Sequence, residues 1–155
     1  RWRWLHNYAK ELRRACAVEA ARLKAQGVAK GAAWTDLRLA ELVFLRVSQI
    51  NGCAYCMDMH WHVLVKDGME PRHLNAVAGW REAPFFSDRE RAALRWAEIL
   101  TATPHSDASD EEFAKLQAVF SAAEISDLGF AIAIINAWNL INAGMRAPIP
   151  QTPVV

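Results

Sequence analysis

The sequence predicts an all-α fold, a compact multihelical domain. Apolar residues recur at helical spacing along the chain, helix-capping patterns precede several of these runs, and alternating strand-like segments are nearly absent. No Gly-Pro or Ser-rich linker divides the 155 residues and no internal repeat is evident, so residues 1–155 are expected to form a single domain.

A first helix is expected from about Tyr8 to Gln26, with Gly27 as its C-terminal stop. The second is expected over Asp36–Ser48, where Leu39, Leu42, Val43 and Val47 are spaced for one buried stripe. Asn51-Gly52 interrupts it. A third starts at Cys53, with Asn51 placed to cap it, and runs to about Lys66 before closing at Asp67-Gly68. Glu70-Pro71 opens a short helix through Ala78, because Pro suits a first turn.

Ser87-Asp88-Arg89-Glu90 is a capping box that should start a helix running to about Leu100. The same spacing at Ser109…Glu112 and Ser121…Glu124 marks two more starts. The last helix, about Ile125 to Met145, is apolar nearly all round, as a buried central or intersubunit helix would be. The tail Pro148-Ile149-Pro150-Gln151-Thr152-Pro153 cannot be helical and should lie over the surface.

Hydrophobic residues make up 53% and charged residues 23%, enough apolar material for a core and too much for a disordered segment. Lys plus Arg number 18 against 17 Asp plus Glu, and a net charge of +1 gives no general attraction to nucleic acid or to an anionic membrane. Seven Lys or Arg fall in the first 24 residues against Glu11 and Glu19, which reads as a solvated helix face. Arg1-Trp2-Arg3-Trp4-Leu5-His6 is followed by no apolar stretch of secretory-signal length. The longest apolar stretch, Leu128 to Trp138, is shorter than the roughly 20 residues of a spanning helix. A soluble, cytoplasmic protein is therefore expected. Three Cys are too few for a disulfide framework, but two of them lie three residues apart, which points to redox or metal chemistry in a reducing compartment.

The informative segment is Ser48-Gln49-Ile50-Asn51-Gly52-Cys53-Ala54-Tyr55-Cys56-Met57-Asp58-Met59-His60. At about 100° per helical residue, Cys53, Cys56 and His60 share one face, within an arc of about 60°. A helix N-terminus favours a thiolate over a thiol. A Cys-x-x-Cys pair placed there suits reversible dithiol chemistry, one sulfur attacking and the other resolving the product as a disulfide. His60 lies one turn beyond Cys56 and can serve as its base. Glu41, twelve residues before Cys53 among Leu39, Ala40, Leu42 and Val43, is the carboxylate best placed to orient that imidazole. A Glu in an apolar stripe is costly to bury unless it is paired or functional.

These residues closely resemble the alkylhydroperoxidase D-like branch of the carboxymuconolactone decarboxylase superfamily: Glu41 to Arg46, then Val47 through His60, in the pattern Glu-x11-Cys-x2-Cys-x3-His. Trp80-Arg81-Glu82 with Phe86 to Leu94 looks like that family's next helix, and Ile135-Asn136-Ala137-Trp138-Asn139 like its last, so the resemblance covers about Leu37 to Met145. It implies a small all-α fold that assembles into trimers or hexamers. It also implies reduction of a small-molecule hydroperoxide, with Cys56 as the peroxidatic thiol and Cys53 as the resolving thiol. Glu41 and His60 would form the proton relay, commonly with a water between, and no cofactor is involved. An external dithiol, thioredoxin-like or lipoyl-bearing, must reset the disulfide. The chain departs from the family's better-studied members at Tyr55, where they carry His, and at Leu140, where Arg is expected.

Other readings compete. Cys53 and Cys56 could be two small buried helix residues. A zinc site would need His62, which lies about 200° round the helix from His60. Haem attachment fails at Met57, and a thioredoxin fold fails because no strand precedes the pair. A dithiol–disulfide oxidoreductase or redox-responsive partner-binding protein would use the same sulfurs without peroxide turnover. Lactone decarboxylation does not rely on a Cys-x-x-Cys pair, and a purely structural helical oligomer would need no thiols. Cys16 reads as a packed or half-exposed helix residue, and His6, His62, His73 and His105 as surface residues. Asn136, Asn139 and Asn142 are expected to line an interface or satisfy buried backbone. Trp34, Trp61, Trp80, Trp96 and Trp138 are expected to pack in the core or between subunits.

Overall fold

Among the described residues, 37–105 and 108–153 of the computed structural model, every regular element is helical. The expected helix over Tyr8–Gln26, with Gly27, His6, Cys16 and Trp34, lies outside the described residues. All the described residues belong to one compact unit. Its helices are α1 (Leu37–Asn51), α2 (Ala54–Lys66), α3 (Pro71–Asn75), α4 (Asp88–Thr101), α5 (Asp110–Gln117) and α6 (Ala122–Gly144), with a 3-10 turn at Val77–Gly79.

α1 is the centre of this unit and packs against α2, α4 and α6. The single buried stripe expected on it is two. Leu39, Val43 and Val47 face Trp96 and Ile99 of α4 and Leu128, Ile132 and Ile135 of α6. Leu42 and Leu45 face the other way, toward Leu64 of α2 and Met69, Leu74, Val77 and Trp80 beyond it. A helix flanked on both sides must be apolar on both, and each fully buried Leu there contributes about 2 kcal/mol.

The capping patterns define the later helices as expected. Ser87 Oγ accepts from the Glu90 N–H while the Glu90 carboxylate accepts from the Ser87 N–H at 2.8 Å, and Ser121 and Glu124 repeat the arrangement. At α5 only half of the box forms. Ser109 Oγ accepts from the Glu112 N–H, but the Glu112 carboxylate accepts from Arg95 Nε at 2.8 Å, fixing α5 to α4.

A second tie crosses the unit at Glu98. Its carboxylate accepts from Arg46 Nε and Nη2 at 2.9 and 2.7 Å, from Trp80 Nε1 at 2.9 Å, and from Arg81. Burial pushes the carboxyl pKa up, but the hydrogen bonds from Arg81, Trp80 and Arg46 outweigh it and hold the group below its ordinary value. Trp80 and Trp96 are buried as expected, and Trp61 and Trp138 pack half-buried against the two core clusters.

α6 is 23 residues long, twice the apolar stretch visible in the sequence, and by length and composition alone could cross a membrane. In the fold it is a packing helix. Glu124, Leu128, Ala131, Ile132, Ile135 and Asn139 are buried, and it contacts α1, α2, α4 and α5. Phe130, Ile134 and Leu140 remain exposed on it.

Candidate active site

The site is built on the junction of α1 and α2. α1 runs to Asn51, three residues past its expected end. Gly52 then turns into the left-handed region at φ +66°, which L side chains rarely adopt. The Cys53 N–H donates to Ser48 O at 3.1 Å and the Gly52 N–H to Gln49 O at 3.4 Å, the paired bonds of a Schellman end. Cys53 follows in extended conformation and is the N-cap of α2, its Sγ accepting from the Cys56 N–H at 3.4 Å. Asn51 was expected to cap α2 and does not. Its side chain is committed elsewhere, donating to Asn136 Oδ1 at 2.8 Å and to Asn139 Oδ1 at 3.0 Å on α6.

Two residues therefore separate the helices, and one of them carries a sulfur. Cys56 lies in the first turn of α2. The two sulfurs form a Cys53–Cys56 disulfide with the Cα atoms 5.4 Å apart, well inside the range such a bond spans. Both cysteines are 1% exposed.

One turn further along α2, His60 is 5% exposed and its ring packs on Phe44 of α1. His60 Nδ1 lies 2.7 Å from Glu41 Oε2, across the α1–α2 contact. An ionised carboxylate only accepts, so this pairing places the ring proton on Nδ1 and leaves Nε2 of the neutral ring as the basic nitrogen. Nε2 is buried and has no hydrogen-bond partner. Glu41 and His60 are thus brought together, as are Cys53 and Cys56. The two pairs are joined through the first turns of α2, and no hydrogen bond links the imidazole to either sulfur.

α6 supplies what the sequence did not reveal. Asn136, Asn139 and Asn142 recur at three-residue spacing and face the junction. Asn139, fully buried, donates to Ser48 Oγ at 3.0 Å and accepts from Asn51. Asn136 donates to Thr101 Oγ1 at 3.1 Å and to Ile132 O at 2.9 Å. Asn142 donates from Nδ2 to Cys56 Sγ at 3.3 Å. They satisfy side chains at the junction more than backbone, and one of them reaches a sulfur.

His62 and His73 are engaged elsewhere. His62 lies 3.4 Å from Asp58, one turn back on its own helix, and His73 stacks on Phe85. Among the described residues, no group of three or more His, Cys, Asp and Glu side chains is placed to hold a metal ion.

The profile of the carboxymuconolactone decarboxylase family matches residues 17–98. The uncharacterised protein YdfG of Bacillus subtilis is 36% identical over 105 residues, 68% of this chain and 71% of YdfG. A crystal structure from Agrobacterium tumefaciens, of a protein of unknown function proposed to be the antioxidant defence protein AhpD, superposes with a TM-score of 0.73. It is 36% identical and the match covers 89% of this chain and 96% of that one. The debrominase Bmp8 superposes with a TM-score of 0.66 at 25% identity, covering 74% of this chain and 61% of its own.

Proposed function

The chain belongs to the carboxymuconolactone decarboxylase family, and from that premise we propose that it is a thiol-dependent peroxidase that reduces hydroperoxides through the Cys53–Cys56 dithiol. The observation that carries this reading is the Glu41–His60 pair, set one helical turn from a Cys-x-x-Cys whose sulfurs are in bonding register.

In the reduced protein the Cys56 thiol gives its proton to the buried basic nitrogen of His60, and Glu41 takes up the imidazolium charge. The Cys56 thiolate attacks the distal oxygen of the peroxide. The O–O bond breaks, the alkoxide leaves and is protonated to an alcohol, and Cys56 becomes a sulfenic acid. The Cys53 sulfur displaces hydroxide from it, which leaves as water. One peroxide and two thiols thus give one alcohol, one water and one disulfide. An external dithiol, thioredoxin-like or lipoyl-bearing, returns two electrons and two protons to complete the cycle.

Burial of both sulfurs favours a small oxidant over a protein disulfide as the species that meets them. A second reading, dithiol–disulfide exchange with a partner protein, draws support from Cys53. Its sulfur sits at a helix N-cap, where a thiolate is stabilised, and the neighbouring Gly52 and Ala54 are exposed. For assembly, Phe130 and Leu140 on α6, about seven-tenths exposed, support a homo-oligomer; the trimer or hexamer is what the family resemblance implies. A dithiol cycle of this kind fits a reducing compartment such as the cytoplasm.

The test is a stopped-flow peroxide titration of the reduced protein, with mass detection of the product. Wild type should yield the disulfide, Cys53→Ser should stop at a Cys56 sulfenic acid, and Cys56→Ser should consume no peroxide. Undiminished turnover in both variants would end the peroxidase reading. Negligible peroxide turnover with rapid exchange against a protein disulfide would transfer the assignment to the second.

A further inference from the structure

The hydrogen bond from α6 to the disulfide has a role of its own. We propose that Asn142 is a catalytic residue of the dithiol site, its side-chain amide stabilising the thiolate of Cys56 and not that of Cys53. This rests on the assignment of Cys56 as the attacking sulfur.

The two sulfurs are solvated by different donors. Both cysteines are buried, so neither thiolate can rely on bulk water, and an anion there needs protein donors. Cys53 has one in the backbone of its own helix, the Cys56 N–H. Cys56 has Asn142 Nδ2, at 3.3 Å, reaching across from α6. The imidazole of His60 makes no hydrogen bond to it.

The amide's choice of partner is also informative. A neutral or disulfide sulfur is a weak acceptor, so a bond to it adds little to the stability of the oxidised protein. The same bond to a thiolate is charge-assisted and much stronger. Asn142 therefore contributes mainly when Cys56 is ionised, which is the state that attacks. Its position is fixed independently of the sulfur. Asn139 and Asn136, about one and two turns back on α6, are both bonded to Asn51, two residues before Cys53. The row aligns α6 on the junction, and Asn142 extends it to Cys56.

The test separates this from any peroxidase assay. In a Cys53→Ser background, where Ser keeps the N-cap, the pH dependence of Cys56 alkylation by iodoacetamide is followed by mass. Asn142→Ala should move the midpoint up by about one pH unit, slowing alkylation about tenfold below it. Asn142→Asp, which preserves shape but offers an acceptor in place of the donor, should move it further up, and serves if the Ala variant does not fold. In a Cys56→Ser background Asn142→Ala should leave the Cys53 midpoint in place, and Asn142→Asp, whose charge lies near both sulfurs, should raise it less than it raises that of Cys56. An unmoved Cys56 midpoint in either folded variant overturns the proposal, as does an equal shift at both sulfurs. If the midpoint moves as expected while wild type turns over no peroxide, the Asn142 assignment stands and the peroxidase reading falls.

Discussion

Removing the Asn139 side chain is the sharpest test of how the junction is held. Asn139→Ala deletes two buried hydrogen bonds, the donation to Ser48 Oγ and the acceptance from Asn51 Nδ2, each at 3.0 Å. Neither partner is orphaned. Ser48 Oγ still donates to Phe44 O at 2.7 Å, and Asn51 keeps Asn136 at 2.8 Å. The loss is then about 1 kcal/mol per bond rather than the larger penalty of a stranded polar group. The amide also leaves a void where the residue is fully buried, adding up to about 1 kcal/mol. The sum is about 2–3 kcal/mol, or about 4–12 °C in Tm for a chain of this size. Urea and thermal unfolding followed by far-UV circular dichroism would measure it. A double-mutant cycle with Asn51→Ala should show coupling of about 1 kcal/mol. A loss below about 0.5 kcal/mol, or strict additivity with Asn51→Ala, would show that the asparagine row does not hold α6 to the α1–α2 junction.

Three further outcomes follow from the same contacts. Glu41→Gln keeps the size of the side chain but cannot take up the imidazolium charge, so peroxide-driven disulfide formation should fall about 10²-fold with little change in Tm, as stopped-flow rates would show. Glu98→Ala strands Arg46 and the Trp80 N–H in a half-buried pocket and should cost about 2–4 kcal/mol in urea unfolding; a loss under about 1 kcal/mol would contradict the tie. The Ser121 backbone N–H, Arg89 and the Ser121 hydroxyl hold the Glu124 carboxyl at about 2, against an ordinary value of 4.5. A depressed folded value means its stabilisation is complete above about pH 5 and is lost as pH falls toward 2. Because its partner Arg89 is about one-third exposed and screened by water, this is worth about 1–2 kcal/mol, and Glu124→Gln should flatten that part of the stability–pH curve.

Features encoded within one turn of chain were readable from the sequence: the Ser-x-x-Glu caps of α4 and α6, Pro71 at the start of α3, and the three-residue spacing that brings Cys53 and Cys56 together. Glu41 was found because a carboxylate in an apolar stripe demands a partner. The same reasoning applies to Glu98, which stands between Ala97 and Ile99 and proved to have three donor residues. What escaped depended on partners far along the chain. Asn51 looked like a cap for α2, but Asn136 and Asn139 claim its side chain, and cysteine is not among the residues normally expected at an N-cap. Nothing local to α6 indicates that Asn142 meets a sulfur 86 positions earlier, because that contact exists only once α1, α2 and α6 are packed.

The two sulfurs draw on different levels of organisation. Cys53 is served by a backbone amide that exists wherever the first turn of α2 is wound, whereas Cys56 is served by a side chain that arrives only with tertiary docking. A chain that has swollen but kept its helices would accordingly lose the environment of the second thiol before that of the first. The donor at Cys56 is in that sense conditional on the packing of three helices, while the donor at Cys53 is conditional on a single helical turn.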